Sequence, residues 1–254
     1  MANKSISQQL GLLRSRLMYY GKPFNRRRLM RFYRDFVEPG DLCFDVGAHL
    51  GNRTDAWLRL GAKVVAVDPQ PVCIEYLLKH FGDHPNFTLE QKAIGEVPGQ
   101  MKLHISEKTP TITTLAGQDW QQAIQDKTSY KVSWDQSIPV EVITLDQLIK
   151  TYGIPAFCKI DVEDFEIQAL RGLSQPIPAL SFEYFSPTID RAIACIQQME
   201  TLGQYEYNWS FGESQQMESE RWLTVGDILN VFSSYTSDHR SGDVYARKPN
   251  STTA

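Results

Sequence analysis

No apolar run in this chain of 254 residues approaches the ~20 that a membrane-spanning helix needs, and the first residues hold no signal-peptide apolar core. The expectation is a soluble, cytoplasmic protein. Cysteine is scarce as well. Cys43, Cys73, Cys158 and Cys195 lie far apart with no C-x-x-C spacing, and two of them fall inside expected buried strands. They read as reduced core residues. Basic side chains are not in excess: 26 Lys and Arg against 30 Asp and Glu leave a net charge of −4. That argues against a general nucleic-acid binder, which is normally basic. There is no internal repeat and no linker long enough to mark a domain boundary. A chain of this length buries roughly 70–75% of its unfolded surface around one core. Its 42% apolar and 22% charged residues suit a soluble globular protein. We expect one domain at 39–248, with a helical cap at 1–38 and a tail at 249–254.

The stretch Asp41 to Asp68 organises that domain. Leu42-Cys43-Phe44-Asp45-Val46 is a short apolar run of the kind buried on both faces in a parallel sheet. Gly47-Ala48-His49-Leu50-Gly51 is a turn, Asn52 to Leu60 has a helical apolar face, and Gly61 ends it. Val64-Val65-Ala66-Val67 is a second strand finishing on Asp68. Small glycines after a first strand let a ligand lie close to the backbone, and free N–H groups at a helix start receive negative charge. An acid ending the second strand is placed to accept from two ribose hydroxyls. The turn reads Asp45-x-Gly47-x-x-x-Gly51, lacking the G-x-G-x-x-G of a dinucleotide site. It suits a cofactor without phosphates, S-adenosylmethionine being the obvious one, and argues against a nicotinamide oxidoreductase. The blander alternative is an α/β turn whose glycines serve geometry alone.

Ahead of this unit, Leu10, Leu13 and Leu17 share one helical face. After the Gly21-Lys22-Pro23 break, Leu29, Phe32, Tyr33 and Phe36 form a second stripe with Arg27, Arg31 and Arg34 opposite. Residues 14–34 hold eight basic side chains and no acid. They read as a solvated helix face or as a docking surface for an acidic substrate or carrier. Beyond Asp68, Pro69-Gln70-Pro71 opens a helix to about Lys79, and Asn86 to Gln91 is a third strand. Lys92-Ala93-Ile94-Gly95 is a loop beside the crevice. Met101 to Ile105 alternates as a strand, and Thr109 to Thr114 is a loop near the sheet's carboxyl edge. Residues 116–138, with Trp120 and Trp134, are not placed by their pattern, and Val140 to Asp146 leads into a helix ending at Gly153.

A second informative stretch is Phe157-Cys158-Lys159-Ile160-Asp161-Val162-Glu163. If extended, it sets Lys159, Asp161 and Glu163 on one side. Three ionisable groups at a strand end are costly to bury without partners, which points to the crevice. The alternative is an ordinary Lys–carboxylate network. Glu166 to Leu173 continues as a helix, and Ala179 to Glu183 is a strand finishing on an acid. A helix at Thr188 to Leu202, a strand at Tyr205 to Trp209, a polar insert at Glu213 to Arg221, a helix at Thr224 to Phe232 and a strand at Gly242 to Arg247 complete a doubly wound pattern.

The chain resembles the FkbM family of S-adenosylmethionine-dependent methyltransferases over about residues 40–247. Phe44 to Gly51 resembles the first motif and Val67-Asp68-Pro69 the second. Ala93-Ile94-Gly95 and Ile143-Thr144-Leu145-Asp146 are similar to features between. Lys159 to Glu166, Leu170-Arg171-Gly172 and the strand to Glu183 carry the most specific likeness. His49 stands where the family has asparagine, Asp68 where it often has glutamate, and Asp164 where it has glycine. The resemblance implies a class I methyltransferase fold: a Rossmann-like, doubly wound, mostly parallel seven-stranded sheet with an antiparallel last strand. It implies cofactor contacts from Asp45, Gly47, Ala48, His49, Gly51, Thr54, Asp68, Pro69, Lys92, Ala93 and Asp161. It also implies O-methylation of a sugar or other small molecule.

The sulfonium already makes the methyl electrophilic, so the protein mainly aligns acceptor, methyl and sulfur, worth roughly 7–11 kcal/mol. A general base adds about 10²–10⁴-fold. Asp161, Glu163 and Glu183 are the candidate bases, with Lys159 orienting one of them; His49 and His104 are weaker candidates. The carboxylates could instead hold a divalent metal, although no His/Asp spacing singles out ligands. An RNA methyltransferase and a non-catalytic cofactor-binding protein are the competing readings.

Overall fold

The computed structural model describes residues 24–106, 113–117, 122, 133–134 and 136–249. The stripe at Leu10, Leu13 and Leu17, the Gly21 break, most of Thr109 to Thr114, Trp120 and the tail from Asn250 lie outside them.

The apolar runs become β1 (Leu42–Val46), β2 (Lys63–Val67), β3 (Phe87–Glu90), β7 (Phe157–Ile160), β8 (Ala179–Tyr184), β9 (Glu206–Phe211) and β10 (Gly242–Arg247). They form one sheet in the order β3-β2-β1-β7-β8-β10-β9. The pairs β3–β2, β2–β1, β1–β7 and β7–β8 are parallel, and β10 runs antiparallel between β8 and β9. This is the doubly wound, class I arrangement that the strand pattern and the resemblance led us to expect. The reversal of order on either side of β1 leaves a crevice beyond the carboxyl ends of β1 and β2, where ligands of such sheets sit.

Helices cover both faces: α1 (Asn25–Tyr33), α2 (Asn52–Arg59), α3 (Pro71–Phe81), α4 (Leu145–Tyr152), α5 (Glu166–Arg171), α6 (Ile189–Leu202) and α7 (Val225–Ser233). Several carry the signals expected of them. Pro71 opens α3, and Thr144 caps α4 through a reciprocal bond with Gln147. A 3₁₀ turn, Ser186–Thr188, delays the start of α6 to Ile189.

The two sheet faces differ. One is apolar throughout, with Phe44, Val46, Cys158, Ile160, Leu180, Phe182 and Val244 under α4 to α7. On the other face, the in-register row Cys43, Phe157 and Ala179 joins an aromatic cluster with Tyr33, Trp57 and Tyr245. Tyr33 meets the rings of Trp57 at 5.2 Å and Phe157 at 5.5 Å, both edge-on. The second stripe of the N-terminal segment is therefore part of the core. Leu29 and Tyr33 are buried, while Arg27, Arg31 and Arg34 face water as their spacing implied. Two residues further along each strand this face turns polar, with Asp45 opposite Lys159, Lys159 opposite Ser181, and Glu183 opposite Asp243.

Two readings of the sequence need correcting. The loop at 92–95 contains a strand, β4 (Ala93–Ile94). It joins β5 (Gly99–Ile105) and β6 (Gln136–Ile143) in a separate three-stranded sheet, order β4-β6-β5. Two residues were too short a run to show a period. Nor does β7 continue to Glu163. It stops at Ile160, and Glu163 and Asp164 take left-handed φ values of 52° and 76°. The carboxylates converge through this turn, not through strand alternation.

Candidate active site

A crevice of about 820 Å³, counting the solvent at its mouth, opens where β1, β2 and β7 end. It is within the range of small-molecule sites. Asp45, Gly47, Ala48 and His49 from the β1–α2 turn, and Asp68 and Pro69 after β2, lie on its wall. So do Lys92 and Ala93 at β4, and Lys159, Asp161 and Glu163 after β7. Gly51, Thr54 and Glu183 stand behind that wall. Thr54 donates to Asp45 Oδ2 from its backbone N–H at 3.0 Å and its hydroxyl at 2.6 Å, fixing the carboxylate that starts the turn.

The glycines are needed for packing, and Gly47 also lies on the crevice wall. A Cβ on Gly47, whose φ is +79°, would stand 1.7 Å from the backbone oxygen of Asp161. One on Gly51 would strike the side chains of Leu77 and Phe81. Gly47 thus lets β1's turn touch the Asp161 backbone, whose N–H donates to the Val46 carbonyl at 2.9 Å. One close approach at this turn is made by the protein to itself.

Asp68 is buried and accepts two backbone N–H groups, from His49 on Oδ2 and Gln70 on Oδ1, each at 2.8 Å. Burial pushes its carboxyl up to about 7 despite those bonds. Burial also lowers the His49 imidazole to about 4, opposed by the charge of Asp161, so the ring is neutral at neutral pH.

At the opposite wall, Lys159 is wholly buried. Its ammonium donates to Asp243 Oδ1 at 2.7 Å and lies 3.3 Å from Asp161 Oδ2. Burial alone would lower it, but these two carboxylates hold it charged, above the ordinary lysine range. Asp161 is the mirror case. Burial would raise it, while Lys159, Arg53 and a hydrogen bond from Glu183 keep it below the usual carboxylate value. Glu163 and Glu183 are pushed well up by burial and then by the charge of Asp161. One carboxylate oxygen from each of Asp161, Glu163 and Glu183 lies within 4.8 Å of the others, an arrangement that could also hold a hard cation. Thr114 covers this corner by donating its hydroxyl to the Glu163 carbonyl at 2.5 Å.

Sequence reasoning missed Arg53 and Asp243. Arg53 is buried on the crevice wall, with Nη1 3.0 Å from Glu213 of the polar insert and Nη2 3.6 Å from Asp243. An acid in the apolar strand Gly242 to Arg247 was the available signal for Asp243. For Arg53 nothing marked the site, because its partners lie 160 and 190 residues away along the chain.

A family model described as the methyltransferase FkbM domain matches residues 45–235. The chain belongs to the FkbM methyltransferase family. S-adenosylmethionine is the cofactor of this methyltransferase. The wall described above fits it: buried Asp68, with two backbone donors already in place, keeps acceptor capacity for vicinal hydroxyls. A search of curated proteins returned no match. Similar solved structures include a TehB-like S-adenosylmethionine-dependent methyltransferase from Corynebacterium glutamicum. It is 10% identical with a TM-score of 0.48, covering 95% of this chain and 98% of that one. A putative O-methyltransferase from Klebsiella pneumoniae is 10% identical at TM-score 0.42, covering 97% and 100%. A putative RNA methyltransferase from Pyrococcus horikoshii is 12% identical at 0.41, covering 96% and 98%.

Proposed function

We propose that this methyltransferase acts on a hydroxyl of a small-molecule or glycan acceptor, with Glu163 as the general base. The observation that carries this reading is the division of labour among three neighbouring carboxylates. Asp161 is held ionised by Lys159, and Glu183 hydrogen-bonds to it. That leaves Glu163, on the crevice wall and with a raised pKa, as the strongest proton acceptor of the three once ionised. Asp68 would hold the ribose hydroxyls and Asp161, Lys159 and Thr114 would fix the acceptor side. The bound cofactor supplies an electrophilic methyl group. Glu163 Oε would take the proton of the acceptor hydroxyl and so leave that oxygen nucleophilic toward the methyl group the cofactor would supply.

The test is a methyl-transfer screen with labelled S-adenosylmethionine against sugars and other polyols, with unmodified RNA alongside. Transfer to a hydroxylated compound, falling by about 10²–10⁴-fold in Glu163→Gln and indifferent to a chelator, is the expected result. Turnover that survives Glu163→Gln sinks the assignment of the base. Loss on chelation, restored by a divalent cation, gives the three carboxylates to a metal. Transfer to RNA alone would favour the nucleic-acid reading, for which the exposed Arg27, Arg31 and Arg34 of α1 are the one supporting feature.

A further inference from the structure

Charge is divided along the length of this chain. The first 34 residues hold nine Lys and Arg and no acid, while the other 220 hold 17 against 30 acids. Within the basic segment, Arg27, Arg31 and Arg34 of α1 are exposed. Phe24, just ahead of α1, is 70% exposed, and the Arg27 guanidinium stands 5.8 Å from its ring centre. A single exposed ring is ordinary, but this one continues a longer apolar pattern. Read at helical spacing, Ile6, Leu10, Leu13, Leu17 and Tyr20 fall on one narrow face, with Arg14 to one side of it and Arg16 to the other. Cations bordering an apolar face are the pattern of a helix that lies in a membrane interface.

We propose that residues 1–34 dock this protein on an anionic lipid surface, with Phe24 and the three exposed arginines of α1 against the headgroups. Both halves of the pattern choose the occupant. RNA or an acidic protein would complement the cations and leave the leucine face and Phe24 unused. A neutral bilayer would take the leucines and not the charge, whereas an anionic bilayer takes both. No helix among the described residues is long and apolar enough to cross a membrane, so the contact is peripheral. The rest of the chain, with its excess of acids, is repelled by the same surface, which turns α1 towards the lipid. One loop separates this helix from the crevice wall. Arg28 donates to the Glu213 carbonyl at 3.1 Å and to Gln215 Oε1 at 2.7 Å, and the Glu213 carboxylate pairs with Arg53 at 3.0 Å.

The experiment is co-sedimentation of the full chain with vesicles across a lipid titration. One set is phosphatidylcholine alone, and the other is equal parts phosphatidylcholine and phosphatidylserine. We expect binding to the mixed vesicles only, weakened as salt is added. The triple variant Arg27→Glu, Arg31→Glu, Arg34→Glu should lose about a hundredfold in affinity for them. Phe24→Asn tests the ring, since asparagine tolerates the left-handed φ of 63° found there. Leu13→Glu tests the leucine face, and each of these two should lose about tenfold. An unchanged melting temperature in all three variants separates lost docking from lost folding. Binding to neither vesicle, equal binding to both, or indifference to the charge reversal would overturn the proposal. Losses on charge reversal with none for Phe24→Asn and Leu13→Glu would overturn it too, as would tighter binding to unmodified RNA than to the mixed vesicles. Either outcome gives the cations to a soluble polyanion.

Discussion

Asp68 couples the crevice to pH. Its folded pKa of about 7 lies above the ordinary carboxylate value because burial outweighs two hydrogen bonds. In the ligand-free protein a raised folded pKa means stability that is present at acid pH and lost as pH climbs towards about 7. Ligand binding runs the other way if ribose hydroxyls donate to Asp68, since they favour the ionised form. Affinity for S-adenosylhomocysteine should then rise from about pH 6 to about pH 8 and level off above the folded pKa. Calorimetry at three pH values checks it, and Asp68→Ala should bind weakly with no such dependence. Asp164 supplies a second residue-level prediction. It occupies a left-handed position at φ +76° and pairs with Arg191. Asp164→Gly removes the strain with the pair, two effects of about 1 kcal/mol that nearly cancel. Asp164→Ala loses the pair and keeps the strain, costing about 1–2 kcal/mol in urea unfolding. An alanine variant more stable than the glycine one would refute this account. The family's glycine at this position was legible as a departure in the sequence. Its reason, a backbone angle, was not.

Element by element, what could be read followed burial. β1, β2, β7 and β8 are short, mostly apolar runs, and such runs reveal strands buried on both faces. β4 is two residues long, and only its pairing with β6 makes it a strand. The separate sheet was hidden for that reason. The acidic cluster was visible as spacing, but for the wrong cause: Glu163 reaches Asp161 by a left-handed turn after the strand has ended. α1 was legible as an amphipathic helix, yet its pattern could not say what its apolar side covers. It covers Trp57, Phe157 and Tyr245. Tyr33→Ala should therefore cost about 3–5 kcal/mol in equilibrium unfolding. Tyr33→Phe, which keeps the ring contacts, should cost no more than about 1 kcal/mol. A small effect of the alanine change would show that α1 is peripheral to stability.

At the scale of the molecule, charge is segregated. A protein of net charge −4 carries Arg27, Arg31 and Arg34 together on one exposed helix face, while Arg26 and Arg28 of the same helix are engaged by Asp55 and by residues 213–215. Three exposed cations away from the core contribute little to stability. Their reversal to Glu should leave the melting temperature unchanged. If this face draws in an acidic acceptor or carrier, the same variant should raise KM for that acceptor at low salt, with the effect fading as salt screens it. An unchanged KM would mean that this face draws in no soluble acidic partner.

The interleaving of β10 has a bearing on how the enzyme is made. β9 leaves the ribosome before β10, yet only β10 joins it to the sheet, and β10 also brings Asp243 to Lys159. A nascent chain can hold every crevice residue up to Glu183 and still have a buried ammonium without its nearest counter-ion. We predict that arrested chains exposing residues through β9 fail to retain S-adenosylhomocysteine, and that chains exposing β10 retain it. Retention by the shorter chains would show that the pocket matures without its final strand. On this view the crevice is finished only when β10 pairs, after every other residue of its wall has been made.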